Sequence, residues 1–229
     1  MPARAIVEAP SHLGLRAAGV EALPEALLAA GLAERLGARR ATRLAIPAFD
    51  PTIDAATGLL NPYGLRDYAS RLADAVGAVL DEGAFPIVLG GDCTILLGIT
   101  LALRRRGRYG LLFLDGHADF YQPEAEPTGE AASMELALVT GRGPDLITDL
   151  EGQRPLLRDE DVVVFGPSPR PSTPSTCRPS ATGVPARQPA TPSPTWSGPA
   201  APSGSGSTST STSSTTPSCP PSITTFPTV

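Results

Sequence analysis

The sequence predicts an α/β fold built on a mainly parallel sheet, and three observations carry that prediction. Short uninterrupted apolar runs alternate with longer stretches of helical periodicity. Glycine or aspartate closes most of these runs, as strand ends require. All of this patterning lies within residues 1–166, ahead of a segment of quite different composition.

Taken in order, Arg43-Leu44-Ala45-Ile46-Pro47 is the first expected strand. Leu65 to Leu80 follows with Tyr68, Leu72, Val76 and Val79 at helical spacing and charges between them, an amphipathic helix stopped by Gly83. Phe85-Pro86-Ile87-Val88-Leu89 is continuously apolar, the pattern of a strand buried on both faces, and Gly90-Gly91 breaks it. Thr94 to Arg106 reads as a helix with three arginines in its last turn, where cations complement the helix dipole. Tyr109 to Leu114 is the next buried strand, Met134 to Val139 a short helix, and Asp161 to Phe165 a last strand ending at Gly166. In open parallel sheets, ligands bind beyond the carboxyl ends of the strands. That rule selects Gly90–Thr94 and Asp115–Tyr121.

Composition excludes several classes. The 229-residue chain carries a net charge of −5, and residues 1–166 hold all 23 acidic residues with only 15 of the 18 basic ones. Such an acidic head argues against nucleic-acid partners. No apolar run approaches the roughly 18 residues of a membrane span. Met1 to His12 lacks the basic and apolar regions of a secretory signal. Cys93, Cys177 and Cys219 do not form a disulfide framework, so a cytoplasmic protein is expected. Lysine is absent while Ala, Arg, Gly and Pro abound, the signature of a GC-rich gene.

The second selected place carries the chemistry. Asp115-Gly116-His117-Ala118-Asp119 sets three ligand-type side chains at alternate positions, which point the same way in an extended segment. Two hard carboxylates and an imidazole suit manganese or another divalent first-row metal; the other reading is a solvated polar loop. The first place is Gly90-Gly91-Asp92-Cys93-Thr94. Asp92 fits a cap for the following helix, and Cys93 is either a thiolate ligand or a small buried hydrophobe.

Together these two segments, with the strand and helix entry from Phe85 to Gly98, resemble the arginase–agmatinase (ureohydrolase) family, which has a Gly-Gly-Asp-His-Ser/Thr segment followed one βα unit later by Asp-Ala-His-x-Asp. The resemblance covers the chain to Gly166. It implies a three-layer α/β/α fold and a two-manganese site that activates water against a guanidino or amidino carbon. By position Asp115 bridges both metals, His117 binds one, and Asp119 the other, with Cys93 standing where the family has histidine. Glu124, Glu126 and Glu130 border the expected pocket and either attract a cationic substrate, with Glu130 as the candidate substrate-binding residue, or form a solvated acidic loop; Tyr121 either lines the pocket or packs. Homo-oligomers are common in the family.

The departures are specific. Sulfur at Cys93 favours zinc or iron over manganese. The family's Ser-Gly-Asn-x-His stretch reads Thr128-Gly129-Glu130-Ala131-Ala132, and Ala132 can transfer no proton. The family's later Asp-x-Asp metal segment is absent, since no acid follows Asp161 and the only histidines are His12 and His117.

Residues 167–229 contain 43 Ser, Thr and Pro, three arginines and no acid. The composition predicts a disordered low-complexity tail. It also fits translation out of frame. Thr, Ser and Pro codons begin AC, TC and CC, and a one-base shift behind a G turns them into Asp, Val and Ala codons. The alternation Ser207 to Thr216 then becomes a valine–aspartate alternation, where the family keeps its second metal segment. A head cut off in this way leaves its last strand without a partner and is expected to be marginally stable and inactive. Three readings of function follow: a metal-dependent hydrolase of a guanidino or amidino C–N bond, impaired in this chain; a non-catalytic binding protein on the same fold; and another metallohydrolase, such as an amide deacetylase.

Overall fold

The computed structural model describes residues 2–16 and 19–166; the expectations for residues 167–229 lie outside the described residues. Five strands and six α-helices follow one another as β1 (Arg4–Ala9), α1 (Leu23–Ala29), α2 (Leu32–Leu36), β2 (Ala38–Arg43), α3 (Pro62–Asp81), β3 (Phe85–Gly90), α4 (Ile95–Arg104), β4 (Leu111–Leu114), α5 (Glu135–Val139), α6 (Asp145–Thr148) and β5 (Val162–Phe165). Every ladder between these strands is parallel, as expected.

β1 lies at the centre of a three-stranded sheet of order β2-β1-β3. Its side chains Ala5, Ile6, Val7 and Ala9 are fully buried. The sequence reading passed over this strand because Glu8 interrupts its apolar run. Glu8 is nevertheless buried, and its carboxylate accepts hydrogen bonds from Arg40 at 2.9 Å and Arg43 at 3.1 Å on the adjoining β2. β2 also corrects the expected first strand. The ladder occupies Ala38–Arg43 and stops where Arg43 pairs with Glu8, so residues 44–47 run on beyond it. Leu44 still donates its N–H to the Glu8 carbonyl (2.9 Å) and is buried, and Pro47 has no N–H to extend a ladder. An edge strand half made of arginine carries no apolar signal.

α3 buries Leu65, Tyr68, Leu72, Val76 and Val79, the stripe its periodicity predicts. It packs closely on α4 because Gly98 has no side chain: a Cβ there would stand 2.7 Å from the Leu72 Cβ and 2.8 Å from the Ala69 carbonyl oxygen. Of the three arginines expected in the last turn of α4, only Arg104 is helical. Arg105 and Arg106 lie past it and pair with Asp74 and Glu151, and with Asp81, respectively.

A second sheet holds β4 and β5 alone, with Leu112 opposite Val163 and Leu114 opposite Phe165. These two strands are shorter and far more exposed than the buried strands expected: Leu112 is 62% and Phe165 69% exposed. Among the described residues nothing pairs with the free edge of β3 or of β4, so the expected single sheet is present as two parallel pieces.

Candidate metal centre at the strand ends

The loops after β3 and β4 open into one cavity of about 670 Å³, lined by Cys93, Asp115, His117, Asp119, Tyr121, Glu126 and Ala132 among others. Both places selected by the strand-end rule therefore contribute to a single site.

The floor is fixed by Asp92. Its buried carboxylate accepts hydrogen bonds from the Gly14 N–H (2.9 Å), the Ser11 hydroxyl (3.4 Å), the Thr94 N–H (2.8 Å) and the Thr94 hydroxyl. It does hold the entry to α4, as a cap was expected to, and it also ties that entry to the loop after β1. Gly91 permits the contact, because a Cβ there would lie 1.8 Å from the Ser11 carbonyl oxygen. Cys93, the next residue, is thereby aimed at the cavity.

The three side chains of the Asp-x-His-x-Asp segment all reach the cavity wall but do not act alike. Asp115 accepts the backbone N–H of His117 at 2.8 Å, and the His117 Nδ1 lies 3.6 Å from the same oxygen, with the ring largely in solvent. Asp119 leaves the extended path: its φ of +41° is a left-handed value, and its carbonyl accepts the Leu136 N–H at 3.1 Å. That turn carries Asp119 inward, to the start of α5. There it meets Cys93 and Glu135, with donor atoms of all three within 4.8 Å of one another.

Glu135 was not singled out by the sequence reading, where it is one acid at the head of an apolar helix. It is fully buried, and neither carboxylate oxygen has a hydrogen-bond partner. Burial, reinforced by the Asp119 carboxylate, pushes its pKa up to about 10. The Cys93 thiol is likewise pushed up by burial and by the Glu135, Asp119, Asp115 and Asp92 carboxylates. Asp119 is raised, mainly by burial and further by Asp115. Such a set of mutually repelling, desolvated acids is relieved by protons or by a cation.

Glu130, the expected substrate-binding residue, is spent locally. One carboxylate oxygen accepts the Arg16 N–H at 2.8 Å and the other the Thr128 hydroxyl at 3.2 Å. Glu126 is the acid of that loop that lines the cavity, with Tyr121 beside it. Ala132 occupies the wall where a proton-transfer group was expected to be missing. The donors fit one cation well, at Cys93, Asp119 and Glu135. A pair of manganese ions fits poorly, since of the described residues of the Asp-x-His-x-Asp segment only Asp115 and His117 remain for a second ion.

No helix among the described residues is long and apolar enough to cross a membrane. Residues 3–168 match the family model described as the arginase family. The chain is 30% identical over 174 residues to the arginase of Staphylococcus aureus, covering 70% of this chain and 55% of that protein. It is 33% identical over 166 residues to the arginase of Bacillus subtilis, covering 70% and 56%. The crystal structure of Bacillus caldovelox arginase superposes with a TM-score of 0.67 at 30% identity, over 72% of this chain and 57% of that one. The chain thus spans just over half the length of these relatives.

Proposed function

This chain belongs to the arginase family, and from that premise we propose that its cavity is a metal-dependent site for hydrolysis of a guanidino or amidino carbon–nitrogen bond, impaired in the chain as it stands. The observation that carries the reading is the cluster of Cys93, Asp119 and the buried Glu135 at the ends of β3 and β4, where Cys93 and Asp119 line one cavity together with Asp115 and His117. A bound divalent ion would polarise water and the substrate's C–N centre there.

The protein's own groups have separable roles. Cys93 and Asp119 would hold one ion and Asp115 and His117 would offer an open-sided second position, with manganese, the ion of the wider family, and zinc both to be tested. Glu126 presents negative charge to a cationic substrate, and Tyr121 gives the cavity an apolar wall that limits access of bulk water. With the second position empty, His117, leaning on Asp115 at the lip, is an imidazole placed to take and return a proton. Ala132 contributes none. The small number of donors and the alanine together account for the expected impairment, and they also support the second reading, a non-catalytic binding protein. We further propose that the chain acts in the cytoplasm, and that residues 167–229 are read out of frame. Reading the gene through this region in all three frames tests the latter: another open frame encoding an Asp-x-Asp segment over Ser207–Thr216 supports it, and closure of both other frames sinks it.

The functional test is a metal assay and a substrate panel on the purified chain. Bound divalent metal with slow release of product from guanidino or amidino compounds supports the hydrolase. Bound metal with turnover of acetylated amides alone moves the chain to a different hydrolase, and absence of bound metal favours the binding protein.

A further inference from the structure

Glu135 stands outside the Asp-x-His-x-Asp segment and outside the pattern that the family resemblance supplies, yet it is the most thoroughly enclosed acid at the site. An enclosed carboxylate with no hydrogen-bond donor on either oxygen is a costly arrangement, and native proteins keep one only where something compensates it. The nearest polar neighbours of Glu135 are a thiol and another carboxylate, both anionic when ionised.

We propose that Glu135 is a metal ligand, completing with Cys93 and Asp119 a three-donor site for a single divalent cation of the zinc class. The inference rests on the reading of the cavity as a metal site and goes further by naming a ligand and a metal class. The three donors come from three separate places, the loop after β3, the loop after β4 and the first residue of α5. The fold must therefore be assembled before they meet. One thiolate with two carboxylates is softer than the oxygen-rich set that manganese selects, and it matches zinc, cobalt or iron(II). Cys93 and Asp119 line the cavity while Glu135 lies buried behind them, so three protein donors leave a coordination position open toward the cavity for water or a ligand, as catalytic rather than structural zinc sites do. The alternative compensation is a proton on Glu135, which needs no metal.

Cobalt(II) titration of the metal-stripped full chain distinguishes the two. The expected result is one Co²⁺ per chain with near-ultraviolet thiolate-to-cobalt charge-transfer absorbance. Cys93→Ser should remove that absorbance, and Glu135→Gln should weaken Co²⁺ binding by about tenfold or more. His117→Ala should leave the absorbance in place, because that side chain is not one of the three donors. Circular dichroism confirms that each variant is folded; should Glu135→Gln fail to fold, Glu135→Asp, which shortens the reach by one methylene, should shift the spectrum and weaken binding. Parent-like Co²⁺ binding by Glu135→Gln, together with loss of binding in Asp119→Asn, overturns the role of Glu135 and leaves the metal-site reading intact. Absence of Co²⁺ and Zn²⁺ binding by the parent chain overturns both and assigns the carboxylate a proton.

Discussion

At the scale of single residues, the site is organised by Asp92 as much as by the side chains that face the cavity. One carboxylate accepts from Gly14, Ser11 and Thr94, so it joins two loops that regular secondary structure does not connect. Asp92→Ala strands at least two buried N–H groups and is expected to cost about 3 kcal/mol of stability, measured by denaturant unfolding. Part of this was legible. Asp92 after two glycines reads as a cap, and its carboxylate does hold Thr94, the residue just ahead of α4, through the Thr94 N–H and hydroxyl. Its grip on Gly14 was not legible, because nothing in the sequence brings residues 78 positions apart together. Glu135 was hidden for a related reason. In Met134–Val139 it reads as a first-turn acid, and only the left-handed turn at Asp119 reveals that it faces a thiol and a carboxylate.

At the scale of elements, the apolar and amphipathic segments were legible and the polar strands were not. α3, β3 and α4 lie within a few residues of their predicted bounds because each carries an uninterrupted apolar run or stripe. β1 and β2 are bound to each other through a charge cluster that reads as surface. Glu8 is enclosed on β1, while its partners Arg40 and Arg43 keep their guanidinium groups near solvent on β2. Each arginine alone can hold the carboxylate. Arg40→Ala or Arg43→Ala singly is therefore expected to cost about 1 kcal/mol or less. The double variant leaves a buried anion unpaired and is expected to cost about 3 kcal/mol, more than the two single effects combined. A double-mutant cycle in urea checks this. Strand propensity could not find β2, since what pins it is a carboxylate on the neighbouring strand.

At the scale of the whole molecule, the sequence predicts a last strand without its next partner, and among the described residues β5 pairs with β4 alone. β3 and β4 each present an unpaired edge, and Leu112, Leu114, Val163 and Phe165 form one exposed apolar face on the β4–β5 pair. Exposed strand edges beside apolar faces pair with other chains. The chain is expected to associate as its concentration rises, and Leu112→Lys should reduce the scattered light with little effect on the melting temperature. A melt that is cooperative at high temperature would instead show that this face costs the molecule little.

The same face has a thermal consequence. Apolar groups already in water in the native state add nothing to the heat capacity when the chain unfolds. Four large side chains of one small sheet are removed from that change, so the heat-capacity increment per residue should fall below the roughly 12–15 cal/mol/K typical of globular domains. The stability curve of this chain is then shallow and broad, falling away slowly on cooling as well as on heating.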